Sequence, residues 1–197
     1  MAQEAMDLIT QAMSSPWLYA ALFTFAIFDA LLPVVPSETA VITAGVFAAT
    51  VGPHLVPIIA AAAAGAMIGD HVSYGLGRRY GSRFVDRMPE QGRQRKAFLW
   101  AEKTLLRRGG MALVVARYIP GGRAAVTLTT GAIRFPIKTF VLYDALAAVS
   151  WAVYCSLVGY LGGAAFEDHP LYGVALGVTL ALALTVLIEV VRARLST

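Results

Sequence analysis

The chain has 197 residues, 58% of them hydrophobic and only 14% charged, where a soluble domain of this size carries about 25% charge. That balance points away from a soluble enzyme and toward a membrane protein. Net charge is +4, yet ten of the 16 Lys+Arg fall between residues 78 and 108, against three acids, Asp86, Glu90 and Glu102. Placed between apolar stretches, this basic block reads as a cytoplasmic loop under the positive-inside rule and not as a nucleic-acid surface.

In chain order, residues 1–15 put Ala5, Leu8, Ile9, Ala12 and Met13 on one helical face, which predicts a short interfacial helix ending at Ser14-Ser15-Pro16. Glu4 and Asp7 precede any basic residue and no small-residue cleavage site stands out, so no cleaved signal peptide is expected. Trp17 and Tyr19 read as interface anchors. Residues 17–51 are apolar but interrupted by Asp29, Pro33, Pro36, Ser37 and Glu38. The piece after the break, residues 39–51, covers only about 20 Å of the roughly 30 Å of hydrocarbon. A re-entrant hairpin is therefore expected at 17–51.

Residues 56–77 are long enough to span and carry Gly65, Gly69, Ser73 and Gly77 every four residues, a stripe that lets another helix approach closely. Asp70, Tyr74 and Arg78 form a polar seam on the same stretch, so pairing of Asp70 with Tyr74 or Arg78 is one reading of it. Within the basic loop 78–110, residues 93–108 predict an amphipathic helix stopped by Gly109-Gly110. Its basic residues attract anionic headgroups at about 1 kcal/mol each.

Residues 111–133 hold the most costly feature, Arg117-Tyr118-Ile119-Pro120-Gly121-Gly122-Arg123. Arginine cannot shed its charge, and one at the bilayer centre costs about 2.5–3.5 kcal/mol even on the lenient insertion scale. Residues 139–161 and 171–191 read as full spans joined by Glu167-Asp168-His169-Pro170, and Arg192 and Arg194 follow. Cys155 is the single cysteine; it excludes a disulfide framework or a cysteine metal site and reads as packing. His54, His71 and His169 read as loop or interface residues at span ends rather than as metal ligands.

The loop charges test the topology. If 111–133 crossed the membrane, Arg134 and Lys138 would lie outside and Glu167-Asp168 inside. If it enters and returns from the cytoplasm, every loop obeys the positive-inside rule, with the basic loop and the C-terminus cytoplasmic. Non-helical backbone such as Pro-Gly-Gly is then tolerated where protein or water covers it. The two breaks also match. Pro36-Ser37-Glu38 leads into small and apolar residues ending at Gly45, and Pro120-Gly121-Gly122-Arg123 into similar residues ending at Gly131. The expected fold is an all-α polytopic membrane protein. It is an inverted repeat with two re-entrant broken-helix hairpins, about three full transmembrane helices and amphipathic interfacial helices, all in one domain over 1–197.

These residues resemble a known family. Asp29-Ala30-Leu31-Leu32-Pro33-Val34-Val35-Pro36-Ser37-Glu38 is similar to the first signature of the DedA family, the VTT or SNARE-associated domain proteins. Gly69-Asp70-His71-Val72-Ser73-Tyr74-Gly75-Leu76-Gly77-Arg78-Arg79-Tyr80-Gly81 resembles its second, and Ala116-Arg117-Tyr118-Ile119-Pro120-Gly121-Gly122-Arg123, on to Gly131, its third. Asp144 followed by Trp151 occupies its last motif. Position 29 is Asp where Glu is usual, 144 is Asp where Asn is usual, and Ala147 stands where Gly is customary. The resemblance implies a multi-pass protein of the bacterial inner membrane. It also implies recycling of undecaprenyl phosphate with dependence on the proton-motive force; eukaryotic relatives are similar to phospholipid scramblases.

The residue chemistry fits that expectation. Arg117 and Arg123 offer planar multi-donor forks for phosphate oxygens, and Gly121 and Gly122 expose backbone at the start of a half-helix. Asp29, Glu38 and Asp70 are candidate proton carriers or gates that pair with the arginines in the absence of substrate. Pro33, Pro36, Ser37, Tyr74, Pro120, Asp144 and Trp151 are expected to shape the site. Charges at this depth can alternatively pair with one another and simply hold the fold. The expected partners are undecaprenyl phosphate or another anionic lipid, protons and the bilayer, with no cofactor, metal or nucleic acid; a homo-oligomer stays open. A phospholipid scramblase or a proton- or cation-coupled exporter is the alternative. A membrane lipid phosphatase ranks below these, because neither break carries a histidine or a Gly-x-Ser-x-Gly nucleophile motif.

Overall fold

The computed structural model describes residues 11–12, 15–31, 37–50, 52–89, 91–119, 121–166 and 179, apart from the side chains of Ser82 and Phe84. Pro33, Pro36 and Pro120, most of segment 1–15 and the expected span 171–191 lie outside the described residues. Among the described residues the regular structure is helical throughout.

Helix α1 is Trp17–Leu31, entered through Ser15, whose hydroxyl accepts the Trp17 N–H and whose carbonyl accepts that of Leu18. Helix α2 is Ser37–Thr50 and α3 is Leu55–Arg87, with Pro57 in its first turn, where a missing N–H leaves no bond unmade. Helix α4, Arg93–Arg108, has the expected bounds and stops at Gly109, where φ is +56°. Helices α5 (Met111–Arg117), α6 (Gly122–Ala132) and α7 (Ile137–Ala165) complete the order among the described residues.

Among the described residues two helices are long and apolar enough to cross a membrane, α3 over Leu55–Gly81 and α7 over Ile137–Ala165. Helix α3 does not end at residue 77, where the sequence places the start of the basic loop, but continues to Arg87. Its Gly77 and Gly81 do not break it, because α6 packs against the bare backbone there. The other four inner helices, α1, α2, α5 and α6, run 15, 14, 7 and 11 residues. Their lengths of about 22, 21, 10 and 16 Å all fall short of the ~30 Å hydrocarbon layer.

The packing has an exchange pattern. Helix α1 packs on α3 and α5 packs on α7, so each long helix is flanked by the first short helix of its own unit. The second short helices swap: α2 packs on α7, and α6 packs on α3. The two long helices also touch each other. These pairings are unchanged when α1–α2–α3 is exchanged with α5–α6–α7.

Small residues make those contacts. A Cβ added at Gly45 of α2 would collide with the Ser156 carbonyl of α7, and one at Gly159 with the Ile42 carbonyl of α2. On the other side, a Cβ at Gly131 of α6 would collide with the Tyr74 carbonyl of α3, and one at Gly77 with the Leu128 carbonyl of α6. The stripe on α3 serves two helices, because Gly65, Gly69 and Ser73 face α1 while Gly77 and Gly81 face α6.

Two apolar clusters result. One joins Leu22, Ile42, Ile58, Ala66, Ala148 and Trp151; the other joins Tyr74, Leu105, Leu113, Val126 and Phe140. On α3, Asp70 lies one turn from Ala66 and one turn from Tyr74; on α7, Asp144 lies one turn from Phe140 and one from Ala148. A layer of charge separates the clusters.

Candidate functional site

The layer is built from the ends of short helices and the middles of long ones. Arg117, the last residue of α5, places Nη1 2.7 Å from Oδ2 of Asp70 and 3.8 Å from Oδ1 of Asp144. The three side chains are almost completely buried, at 2%, 1% and 2% exposure. The same guanidinium lies over the Trp151 ring, 5.3 Å from its centre, a cation–π contact that favours charge in a dry setting.

Arg123, in the first turn of α6, reaches the opposite short helix. Its Nη2 lies 3.3 Å from Oδ2 of Asp29 and also donates to the Asp29 carbonyl, one of the carbonyls that the end of α1 leaves without a helical partner. Its Nε lies 3.8 Å from Oδ1 of Asp70. The Ser37 hydroxyl, at the start of α2, donates to Oδ2 of Asp29 and ties the two arms of the first break together. On the far side, Nδ1 of His71 lies 3.4 Å from Oδ2 of Asp144. A continuous chain therefore runs Ser37–Asp29–Arg123–Asp70–Arg117–Asp144–His71.

Polar capacity is left over within it. Nε and Nη2 of Arg117, Oδ1 of Asp70 and Oδ2 of Asp144 are buried without a hydrogen bond among the described residues. Asp70 and Asp144 at least have a cationic nitrogen or imidazole nearby on those oxygens. The two Arg117 donors do not, and an unmade buried bond of this kind costs about 1–3 kcal/mol or more for a charged group.

The second break is pinned around Arg117. Gly121 has φ +68°, the left-handed region open to glycine. The Gly122 amide is already used, donating to the Ile119 carbonyl at 2.8 Å, and a Cβ there would press on Ala116 and Ile119. Gly122 thus closes the turn with its own N–H, so the first-turn amides that follow it are the ones left for an anion. The Tyr118 hydroxyl donates to Ser150 Oγ at 3.0 Å, Ser150 in turn to the Ala147 carbonyl, and the Tyr118 ring meets Tyr154 edge-on. These contacts fasten the turn to α7.

Of the residues singled out from sequence, Asp29, Ser37, Asp70, Arg117, Arg123, Asp144 and Trp151 meet in one layer. Glu38 is exposed beside it; the charges acting on it are those of Asp29, Arg123 and Arg117. Tyr74 stands one turn away. It donates to the Phe135 carbonyl at 2.7 Å, accepts from Arg78 Nη1 at 3.1 Å and stacks on Phe140. Asp70 therefore pairs across 47 residues with Arg117, not with Tyr74 or Arg78, which pair with each other. His71 is a correction: it lies in the middle of α3 next to Asp70, not at a span end, and it contacts Asp144. Its signal in the sequence was its place beside an intramembrane acid.

Residues 35–161 match the VTT domain. The chain is 26% identical over 159 residues to the uncharacterized membrane protein YbfM of Bacillus subtilis, covering 80% of this chain and 98% of that one. It is 31% identical over 106 residues to the inner membrane protein YohD of Escherichia coli, 54% of each chain. It is 26% identical over 141 residues to undecaprenyl phosphate transporter A of Bacillus subtilis, 70% of each. No solved structure matches it significantly.

Proposed function

The chain belongs to the DedA family of VTT-domain membrane proteins, and on that premise we propose that it carries a lipid phosphate across the bilayer, seated on Arg117 and Arg123. One observation carries the reading. Arg117 is buried in a membrane-depth layer with two guanidinium donors unused among the described residues, within a chain of ion pairs that reaches the second arginine. A phosphate monoester presents several acceptor oxygens and suits two planar forks better than a single carboxylate does.

Asp70 and Asp29 hold the arginines when no lipid is bound, and phosphate exchanges with them. Two guanidiniums face three aspartates, so the layer reaches neutrality when it holds one proton. That stoichiometry supports a proton-linked carrier, in which an arriving anion releases carboxylates that then take up protons. Glu38, exposed at the rim, gates entry. The short helices α1–α2 and α5–α6 form two re-entrant hairpins meeting at midplane, with the basic loop cytoplasmic in a bacterial inner membrane. Their lengths and the exchange packing support this arrangement. The cargo is undecaprenyl phosphate, which the similarity at 26% identity to undecaprenyl phosphate transporter A of Bacillus subtilis supports.

The test is translocation of a fluorescent polyprenyl phosphate in proteoliposomes, with a phosphatidylcholine analogue as comparator. Arg117→Ala and Arg123→Ala each lower polyprenyl phosphate flux at least about tenfold, equivalent to ~1.4 kcal/mol, and wild type moves phosphatidylcholine far more slowly. Unchanged flux in both variants would overturn the phosphate seat, and equal movement of both lipids would identify a scramblase.

A further inference from the structure

The ion-pair chain does not end at a buried residue. Its last member, His71, is 37% exposed, whereas Asp144, its neighbour in the chain, is 2% exposed. His71 Nδ1 lies 2.7 Å from the Met67 carbonyl, which can only accept, so this nitrogen carries the proton. Asp144 Oδ2, which makes no hydrogen bond among the described residues, lies 3.4 Å from the same nitrogen atom. In the neutral imidazole the opposite ring nitrogen, Nε2, is then the acceptor. The ring is held edge-on against Phe140, 5.1 Å between centres, so its orientation is fixed by α7.

The depth of the pair also matters. His71 lies ten residues, or about 15 Å, before Gly81 on α3, and Asp144 seven residues, or about 10 Å, after Ile137 on α7. Helix α7 therefore puts the contact nearer its basic end, toward Arg134 and Lys138, than its far end, and on the apolar stretch of α3 it lies nearer Gly81 than Leu55. The groups facing the pair from each packed element can be named. Helix α7 presents Asp144; α5 presents Arg117 behind it; α6 presents Arg123 and α1 presents Asp29, both beyond Asp70; and α2 presents Glu38, next to Asp29, Arg123 and Arg117. Tyr74, one turn along α3, is occupied by Phe135 and Arg78. On the His71 side, then, Asp144 is the group through which the layer communicates with the protein surface.

We infer that His71 is the proton port of the charged layer, passing protons between the basic-loop side and Asp144 and thereby setting how firmly Asp144 holds Arg117. In the inward step Nε2 takes a proton from hydronium, which leaves as water, the Nδ1–H bond breaks, and that proton forms an O–H bond on Asp144 Oδ2. The imidazole ends neutral with its tautomer exchanged, and the reverse hop restores it. A neutral Asp144 no longer attracts the Arg117 guanidinium from 3.8 Å, which leaves Arg117 to Asp70 and to an incoming anion. An asparagine at 144 could not take that proton, so the port depends on the Asp144 and His71 of this chain.

This inference rests on the proton-linked transport reading above, and the experiment separates the two. Proteoliposomes containing the full chain are loaded with a fluorescent polyprenyl phosphate, and initial rates are measured from pH 5.5 to 8 with and without an imposed pH gradient. His71→Phe, which keeps a ring against Phe140, lowers the gradient-driven maximal rate by about a hundredfold, at the lower end of what a positioned proton-transfer group contributes. Its half-saturating lipid concentration moves less than twofold, and its rate no longer varies with pH. Asp144→Asn likewise lowers the maximal rate and removes its pH dependence but, by freeing Arg117 permanently, lowers the half-saturating lipid concentration, and the double variant is no slower than either single one.

A second measurement avoids transport altogether. In a Trp17→Phe/Trp100→Phe background, the fluorescence of Trp151, beneath Arg117, shifts with pH in detergent, and His71→Phe abolishes that shift. Gradient-driven rates and a pH profile like those of wild type in His71→Phe would overturn the port while leaving the lipid-phosphate reading intact. Failure of wild type to move polyprenyl phosphate would overturn both.

Discussion

Arg117 and Asp70 stand 2.7 Å apart, both all but excluded from solvent, and they join the end of α5 to the middle of α3 across 47 residues of sequence. Breaking a buried pair by removing one partner costs far more than removing both, because the survivor is left charged and dry. Asp70→Asn and Arg117→Gln should each lower stability by about 3 kcal/mol or more. The double variant recovers a large part of that loss, which thermal unfolding in detergent of the four members of the cycle will show. Additive losses would mean that the pair is not coupled.

Gly77 and Gly75 lie two residues apart on α3 in opposite settings. A Cβ at Gly77 runs into the Leu128 backbone of α6, whereas one at Gly75 meets nothing within 4 Å. Gly75→Ala should be neutral or stabilising by up to about 1 kcal/mol through helix propensity. Gly77→Ala forces α6 away from α3 and should destabilise by at least about 2 kcal/mol through overpacking. Melting temperatures of the two variants that move in the same direction would contradict the α3–α6 contact.

Arg134 is the one non-glycine among the described residues with positive φ, +56°, directly after α6. The Phe135 N–H bonds back to the Thr130 carbonyl and that of Arg134 to Gly131, the paired bonds of a Schellman stop. Glycine takes this conformation without the Cβ penalty of about 1 kcal/mol. Arg134→Gly should therefore raise the unfolding temperature by a few degrees, provided the loss of charge is controlled with Arg134→Gln, which should not.

Much of this organisation was legible locally. The 93–108 helix, the two Pro/Gly breaks and the residues Asp29, Arg117 and Arg123 follow from periodicity and from charge in apolar surroundings. What pairs with what was not legible. Asp70, Tyr74 and Arg78 share a helical spacing, so sequence offered them to one another, but Asp70 turns instead to Arg117 because α5 ends where α3 passes. The exchange of α2 and α6 between the long helices is likewise set by backbone approach at Gly45, Gly159, Gly77 and Gly131, a property of two distant segments at once. His71 escaped notice because its role depends on Asp144, 73 positions further on, and no local pattern links the two.

Trp151 offers a way to weigh the setting of Arg117 apart from its carboxylates. Trp151→Leu keeps bulk in the first apolar cluster but removes the aromatic face under the guanidinium. The loss should be about 1–2 kcal/mol of stability, the size of a desolvated cation–π contact. With Arg117→Gln already in place, the same substitution should cost much less. Equal losses in both backgrounds would assign Trp151 to packing alone.

In the proposed cycle a lipid phosphate and Asp70 compete for the same Arg117 guanidinium. Equilibrium binding of polyprenyl phosphate to the purified full chain, with the corresponding polyprenyl alcohol as control, tests it most directly. Asp70→Asn should bind the phosphate more tightly than wild type, Arg117→Gln should lose about tenfold or more of the affinity, and the alcohol should bind weakly and equally to all three. Phosphate affinity unchanged by Arg117→Gln, or weakened by Asp70→Asn as much as by the arginine change, would contradict it.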